Sequence, residues 1–132
     1  MPNYLNRQAL VYRWPLVIYA IAIFAQSCFP SPEVLQDLDF SDKFLHFGGY
    51  ALLGALMVRM LKRELPGQRP WKIIVLAVVL STFYGVSDEL HQALVPGRYA
   101  DVMDIVADLT GSILGAILFW WDLPILDRPI TN

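Results

Sequence analysis

The sequence predicts an all-α integral membrane protein, a four-helix bundle with both termini in the cytoplasm, on three observations. Of its 132 residues 56% are hydrophobic and 17% charged, against about 45–50% and about 25% in soluble domains, and mean hydropathy is +0.46. Four apolar stretches, at about 13–29, 44–61, 71–95 and 102–121, approach the roughly 17–25 helical residues that cross about 30 Å of hydrocarbon. The lysines and arginines fall almost entirely on one side of those stretches. A chain this long makes one domain, here 1–132. Low charge with 7 Phe, 4 Trp and 6 Tyr excludes disorder. A net charge of −2 and a pI near 5.5 supply no basic field for nucleic acid.

Helix 1 follows Arg7 and Arg13 and ends near Ala25-Gln26-Ser27-Cys28. That end lacks the small-x-small site of a signal peptide, and no lipobox leucine stands three residues before the cysteine, so an uncleaved span is expected. Cys28, the single cysteine, excludes an internal disulfide and a cysteine-rich zinc site, and is expected to be a small buried apolar residue. Pro30 and Pro32 close the span. Ser31 can cap a short turn, and Val34, Leu35 and Leu38 share a face that suits a brief interfacial helix. Helix 2 is short, with about 15 apolar residues between Lys43 and Arg59. Helices 3 and 4 have almost no charge at their centres.

Small residues four apart let membrane helices approach closely. Ala51 and Ala55 mark helix 2, Ala77, Ser81 and Gly85 line helix 3, and Ala107, Gly111 and Gly115 line helix 4. Packing within one bundle is the expected use, with a homodimer through one of these faces as the alternative. Orientation follows the positive-inside rule. Arg7, Arg13, Arg59, Lys62, Arg63, Arg69, Lys72 and Arg128 lie on one side, against Lys43 and Arg98 on the other. Trp14, Trp71, Trp120 and Trp121 fall at the same, cytoplasmic, helix ends.

Membrane packing does not explain a set of polar residues at one depth in the opposite half. Asp42, Lys43 and His46 open helix 2; Asp88, Glu89, His91 and Gln92 close helix 3; Arg98 lies in the next loop; Asp104 and Asp108 begin helix 4. Spacings of three and four put Asp88, His91 and Gln92 on one side, Lys43, His46 and Tyr50 on another, and Asp104 and Asp108 on the glycine stripe. One pocket built from three helices is expected. Each ionisable group costs roughly 2.5–3.5 kcal/mol to insert and marks a functional site by default. The plain alternative is a clamp in which Asp88, Glu89, Asp104 and Asp108 pair with Lys43, His46, His91 and Arg98. The carboxylates exceed what clamping needs, which suggests a shared proton, a cation or a cationic ligand group.

Asp42-Lys43-Phe44-Leu45-His46-Phe47, Ser87-Asp88-Glu89-Leu90-His91-Gln92, Pro96-Gly97-Arg98 and Asp104-Ile105-Val106-Ala107-Asp108-Leu109-Thr110-Gly111 together resemble the ordered signatures of the VanZ-like family. The resemblance covers about Asp42 to Gly115; helix 1 matches in position and character. Asp108 departs from the family pattern, where asparagine is commoner, and adds a negative charge. The resemblance implies a small multi-pass protein of the bacterial cytoplasmic membrane, in a family associated with reduced susceptibility to the lipoglycopeptide teicoplanin, and brings no established reaction with it.

Several functions compete. A binding module would take an outer-leaflet lipid headgroup or another envelope component, with Arg98 and Lys43 meeting phosphate and Asp42, His46, Asp88, Glu89, Gln92, Asp104 and Asp108 around them. An intramembrane enzyme on a lipid-linked phosphate or ester would use His46 or His91 as acid or base, with Asp88 or Glu89 orienting it, although no HExxH, GxSxG or cysteine motif is present. A conduit is disfavoured by inner helix halves that are apolar apart from Ser81, Thr82 and Ser112. No cofactor is predicted, while the histidines and carboxylates suffice to ligate a divalent metal.

Overall fold

The computed structural model describes residues 9–30 and 41–122. The interfacial helix expected around Val34, Leu35 and Leu38, and Arg7 and Arg128, lie outside the described residues. The described residues form four long helices: α1 (Trp14–Ser27), continued backwards by a π-helical turn at Ala9–Arg13; α2 (Ser41–Glu64); α3 (Pro70–Gln92); and α4 (Val102–Asp122). All four are long and apolar enough to cross a membrane, with spans Leu10–Ser27, Asp42–Glu64, Pro70–Gln92 and Val102–Trp121. Outward-facing Ile18, Phe24, Phe83, Leu94 and Trp121 leave an apolar girdle that only lipid suits. The chain is a multi-pass membrane protein.

The π-helical turn has a local cause. Pro15 has no amide proton to give the carbonyl of Val11, four residues back. Arg59 from α2 supplies the missing donor, Nη1 to Val11 O at 2.8 Å, while its guanidinium lies 4.8 Å from the Tyr12 ring centroid. At the same end Arg13 and Glu64 form a forked pair at 2.7 and 3.0 Å, and Lys62 lies 4.6 Å from the Trp120 ring. These contacts bring the α1 start, the α2 end and the α4 end together, so the described chain enters and leaves at one basic pole.

Two boundaries differ from the sequence reading. α2 spans 24 residues and is not short, because Asp42 and Lys43 continue the helix and the Lys43 ammonium is met by Asp101 and Asp104. α3 stops at Gln92 rather than near 95. There the bonds tighten to Leu94 N to His91 O and Val95 N to Gln92 O, and Gly97, at φ +82°, turns the chain in the left-handed region that glycine tolerates.

α2 and α4 run parallel and close. A Cβ on Gly111 would strike the carbonyl of Phe47, and one on Gly115 the carbonyl of Ala51, so the glycine stripe of α4 is seated on α2 within the chain. The apolar core lies toward the basic pole, where Val58, Leu61, Ile73, Ala77, Ala116 and Phe119 pack together. α1 is attached more lightly, through Leu16, Tyr19, Ile23 and Ser27, a three-and-four spacing that makes one face. Tyr19 Oη donates to Gly49 O at 3.0 Å, and Tyr84 Oη to Ala20 O at 2.6 Å. Cys28 stands one position off that face. It is exposed, not buried as expected, with Sγ donating back to Phe24 O at 3.3 Å; the buried neighbour is Ser27.

Candidate functional site

At the other pole the α1 end, the α2 start, the α3 end and the α4 start converge, and polar side chains are buried there. His46 is the hub, 8% exposed. Its Nδ1 lies 2.9 Å from Asp108 Oδ1; an ionised carboxylate only accepts, so Nδ1 carries the proton. Its Nε2 faces Glu89 Oε1 at 3.6 Å and Asp104 Oδ2 at 3.9 Å, both beyond hydrogen-bond length. Tyr50, one turn on, stacks parallel at 6.3 Å between centroids.

Helix starts explain the acidic side. Asp101 precedes α4 and accepts from Met103 N at 2.8 Å, as an N-cap aspartate does, and Asp104 occupies the first turn, where the helix dipole favours a carboxylate. Lys43 reaches both, at 2.7 Å to Asp101 Oδ2 and 3.2 Å to Asp104 Oδ1. Asp101 lies outside the spans, and the Lys43 ammonium, helped by the Met103 amide, holds its carboxyl below the ordinary value of 3.8. Glu89 is 1% exposed. It accepts from Asp101 N at 3.0 Å through Oε2, while Oε1 has no hydrogen-bond partner among the described residues.

Asp88 is held apart from this hub, by Ser27 Oγ of α1 and by Gln92 Nε2 at 3.1 Å. Asp108 Oδ2 and Tyr50 Oη are buried without hydrogen-bond partners among the described residues. A Cβ on Gly85 would meet Asp108 Oδ2 at 2.5 Å, so the smallest residue of the α3 stripe makes room for this carboxylate.

The structure thus brings together Asp42, Lys43, His46, Glu89, Asp104 and Asp108, with Asp88 and Gln92 beside them. It does not bring in His91, whose ring lies 4.5 Å from that of Phe24. Arg98 is buried and donates through Nη1 to Phe29 O at 3.3 Å, tying the α3–α4 loop to the end of α1. Sequence reasoning missed Ser27 and Asp101. An aspartate directly before an apolar run is an N-cap signal that identifies Asp101; a lone serine in an apolar span gives no comparable mark.

Between α1 and α2 lies a cavity of about 720 Å³. Ala22, Ile23, Phe44 and Leu45 supply apolar wall, and Asp42, His46 and Asp88 supply its polar portion. The candidate centre therefore borders a groove of mixed character.

The VanZ/LLP1 family model matches residues 16–125. The chain belongs to the VanZ/LLP1 family. No curated protein and no solved structure matches it. The matched region holds the whole polar centre, from Ser27 on α1 to Asp108 on α4, so the centre lies in the part of the chain that defines it as a VanZ/LLP1 protein.

Proposed function

We propose that this VanZ/LLP1 protein is a membrane module that binds an envelope amphiphile, a lipid headgroup with its chain, in the groove between α1 and α2. The observation that carries the reading is the groove itself: a volume within the roughly 300–1,000 Å³ of small-molecule sites, apolar along Ala22, Ile23, Phe44 and Leu45 and polar at Asp42, His46 and Asp88. An acyl chain suits the first set, and hydroxyl or amine donors suit the second. The polar pole faces outward in this reading, because the basic residues and tryptophans gather at the other pole, and the membrane is the bacterial cytoplasmic one. The family's association with a lipoglycopeptide agrees with an amphiphile of the envelope.

One observation favours a second reading. His46 has its Nδ1 anchored by Asp108 and its Nε2 on the other edge of the ring, toward Glu89 and Asp104, the arrangement of a base with its orienting carboxylate, so hydrolysis or transfer at a lipid-linked phosphate or ester is the alternative.

Blocking the groove tests the first reading. Ala22 is exposed in it, and Ala22→Trp should fill it without touching the core. Native mass spectrometry of the full chain should then show at least a tenfold fall in retained lipid at unchanged thermal stability. Unchanged lipid retention overturns the reading.

A further inference from the structure

We infer that His46, Asp42 and Asp104, backed by Glu89, form a binding site for a divalent first-row transition metal ion. Donor atoms of Asp42, His46 and Asp104 lie within 4.8 Å of one another. His46 Nε2 supplies the nitrogen. The oxygens facing it, Glu89 Oε1 at 3.6 Å and Asp104 Oδ2 at 3.9 Å, are too far to be hydrogen-bonded to it. Two donors each about 2.1 Å from one ion, at a tetrahedral angle, lie about 3.4 Å apart. The observed separations are close to that figure. Asp42, half-buried in the first turn of α2, has the freedom to close the remaining distance.

Two observations beyond the acidic cluster point to a cation. Glu89 is 99% buried, yet among the described residues Oε1 has no hydrogen-bond partner, and it is directed at the Nε2 side of the ring. A buried carboxylate oxygen left this way is costly, and a cation between it and Nε2 satisfies it. His46 Nδ1 is committed to Asp108, which leaves Nε2 as the ring nitrogen facing Glu89 and Asp104, and a metal ion taking Nε2 displaces any proton it carries. Metal-bound histidines are oriented by this carboxylate–histidine arrangement.

Charge balance agrees. Asp42, Asp104, Asp108 and Glu89 surround the ring, while Lys43 divides its ammonium between Asp104 and Asp101. One imidazole among several carboxylates selects Zn²⁺ or Mn²⁺ over Mg²⁺ and Ca²⁺, which prefer oxygen alone. Asp42 and His46 also line the groove, so an oxygen ligand from a phosphate or carboxylate of the bound amphiphile can complete the shell. That last step rests on the groove reading; the ion site does not.

The test uses the full chain in detergent, stripped with a chelator and titrated separately with Zn²⁺ and Mn²⁺. One ion per chain is expected. Asp42→Asn, His46→Ala and Asp104→Asn should each weaken binding at least tenfold, and Asp108→Asn about 10–100-fold, because the amide still holds the ring but no longer raises its basicity as a carboxylate does. In pulsed EPR of the Mn²⁺ form, a single imidazole-nitrogen coupling should be present and should vanish in His46→Ala. Asp42→Asn keeps the test decisive if the buried variants fail to fold, because Asp42 is half-buried and outside the core. Absence of saturable binding, or equal affinity in wild type and Asp42→Asn with no nitrogen coupling, overturns the inference. Ala22→Trp separates the two ideas: it should release lipid and keep the ion. A chain that retains lipid without binding metal refutes the ion site alone.

Discussion

His46 Nδ1 and Asp108 Oδ1 lie 2.9 Å apart across the parallel α2–α4 pair, with both side chains buried. This contact requires the glycine stripe of α4 to sit directly on α2, and it requires Gly85 of α3 to leave space for the second carboxylate oxygen. Close packing and the polar centre are therefore one feature.

Asp108→Asn should preserve the fold, because an amide oxygen still accepts the Nδ1 proton. Asp108→Ala leaves a buried N–H unsatisfied and should cost about 1–3 kcal/mol. Thermal unfolding of both variants in one detergent measures the difference; equal loss would mean that the hydrogen bond is not what Asp108 contributes.

Gly115→Ala should destabilise by about 1–3 kcal/mol, the usual cost of overpacking, since the added Cβ would run into the Ala51 backbone. Gly48→Ala, with open space around its Cβ position, should be neutral or stabilising, as alanine is the better helix former. The same unfolding assay compares them, and a reversed order would contradict the α2–α4 register.

Acid dependence should appear at Asp101. Its folded pKa is depressed, so its contribution to stability is complete above the ordinary value and is lost as pH falls through the lower folded one. In Lys43→Met the Asp101 carboxyl should titrate closer to 3.8, read by carbon-13 NMR of labelled aspartate. An unmoved titration would show that Lys43 does not hold it.

Orientation is testable in a Cys28→Ala background. Tyr99→Cys at the polar pole should label from outside intact cells, and Gln68→Cys at the basic pole should be protected. The opposite pattern would place the polar pole in the cytoplasm.

The sequence alone carried the four spans, because apolar runs of membrane length have few other uses, and it carried the nearness of His46, Glu89, Asp104 and Asp108, because spacings of three and four hold in any helix. It did not carry the position of His91. Facing the same general side as Asp88 was compatible with pointing at α1, and only the placement of Phe24 decides that. Cys28 was misjudged for a related reason: a short step along a lightly attached helix separates the packed face of Ser27 from the outside. The length of α2 was underread from its apolar run alone, because the charge of Lys43 at its start is met by Asp104 of α4 and by Asp101 just before it.

The most direct test of the amphiphile groove is photocrosslinking. A phospholipid with a diazirine in its acyl chain, incorporated with the protein into vesicles, should label α1 and α2 at Ala22, Ile23, Phe44 and Leu45 above the exposed apolar residues elsewhere, such as Val75 and Leu114. Ala22→Trp should abolish that excess. Even labelling of all lipid-facing positions, unchanged by Ala22→Trp, would contradict the account.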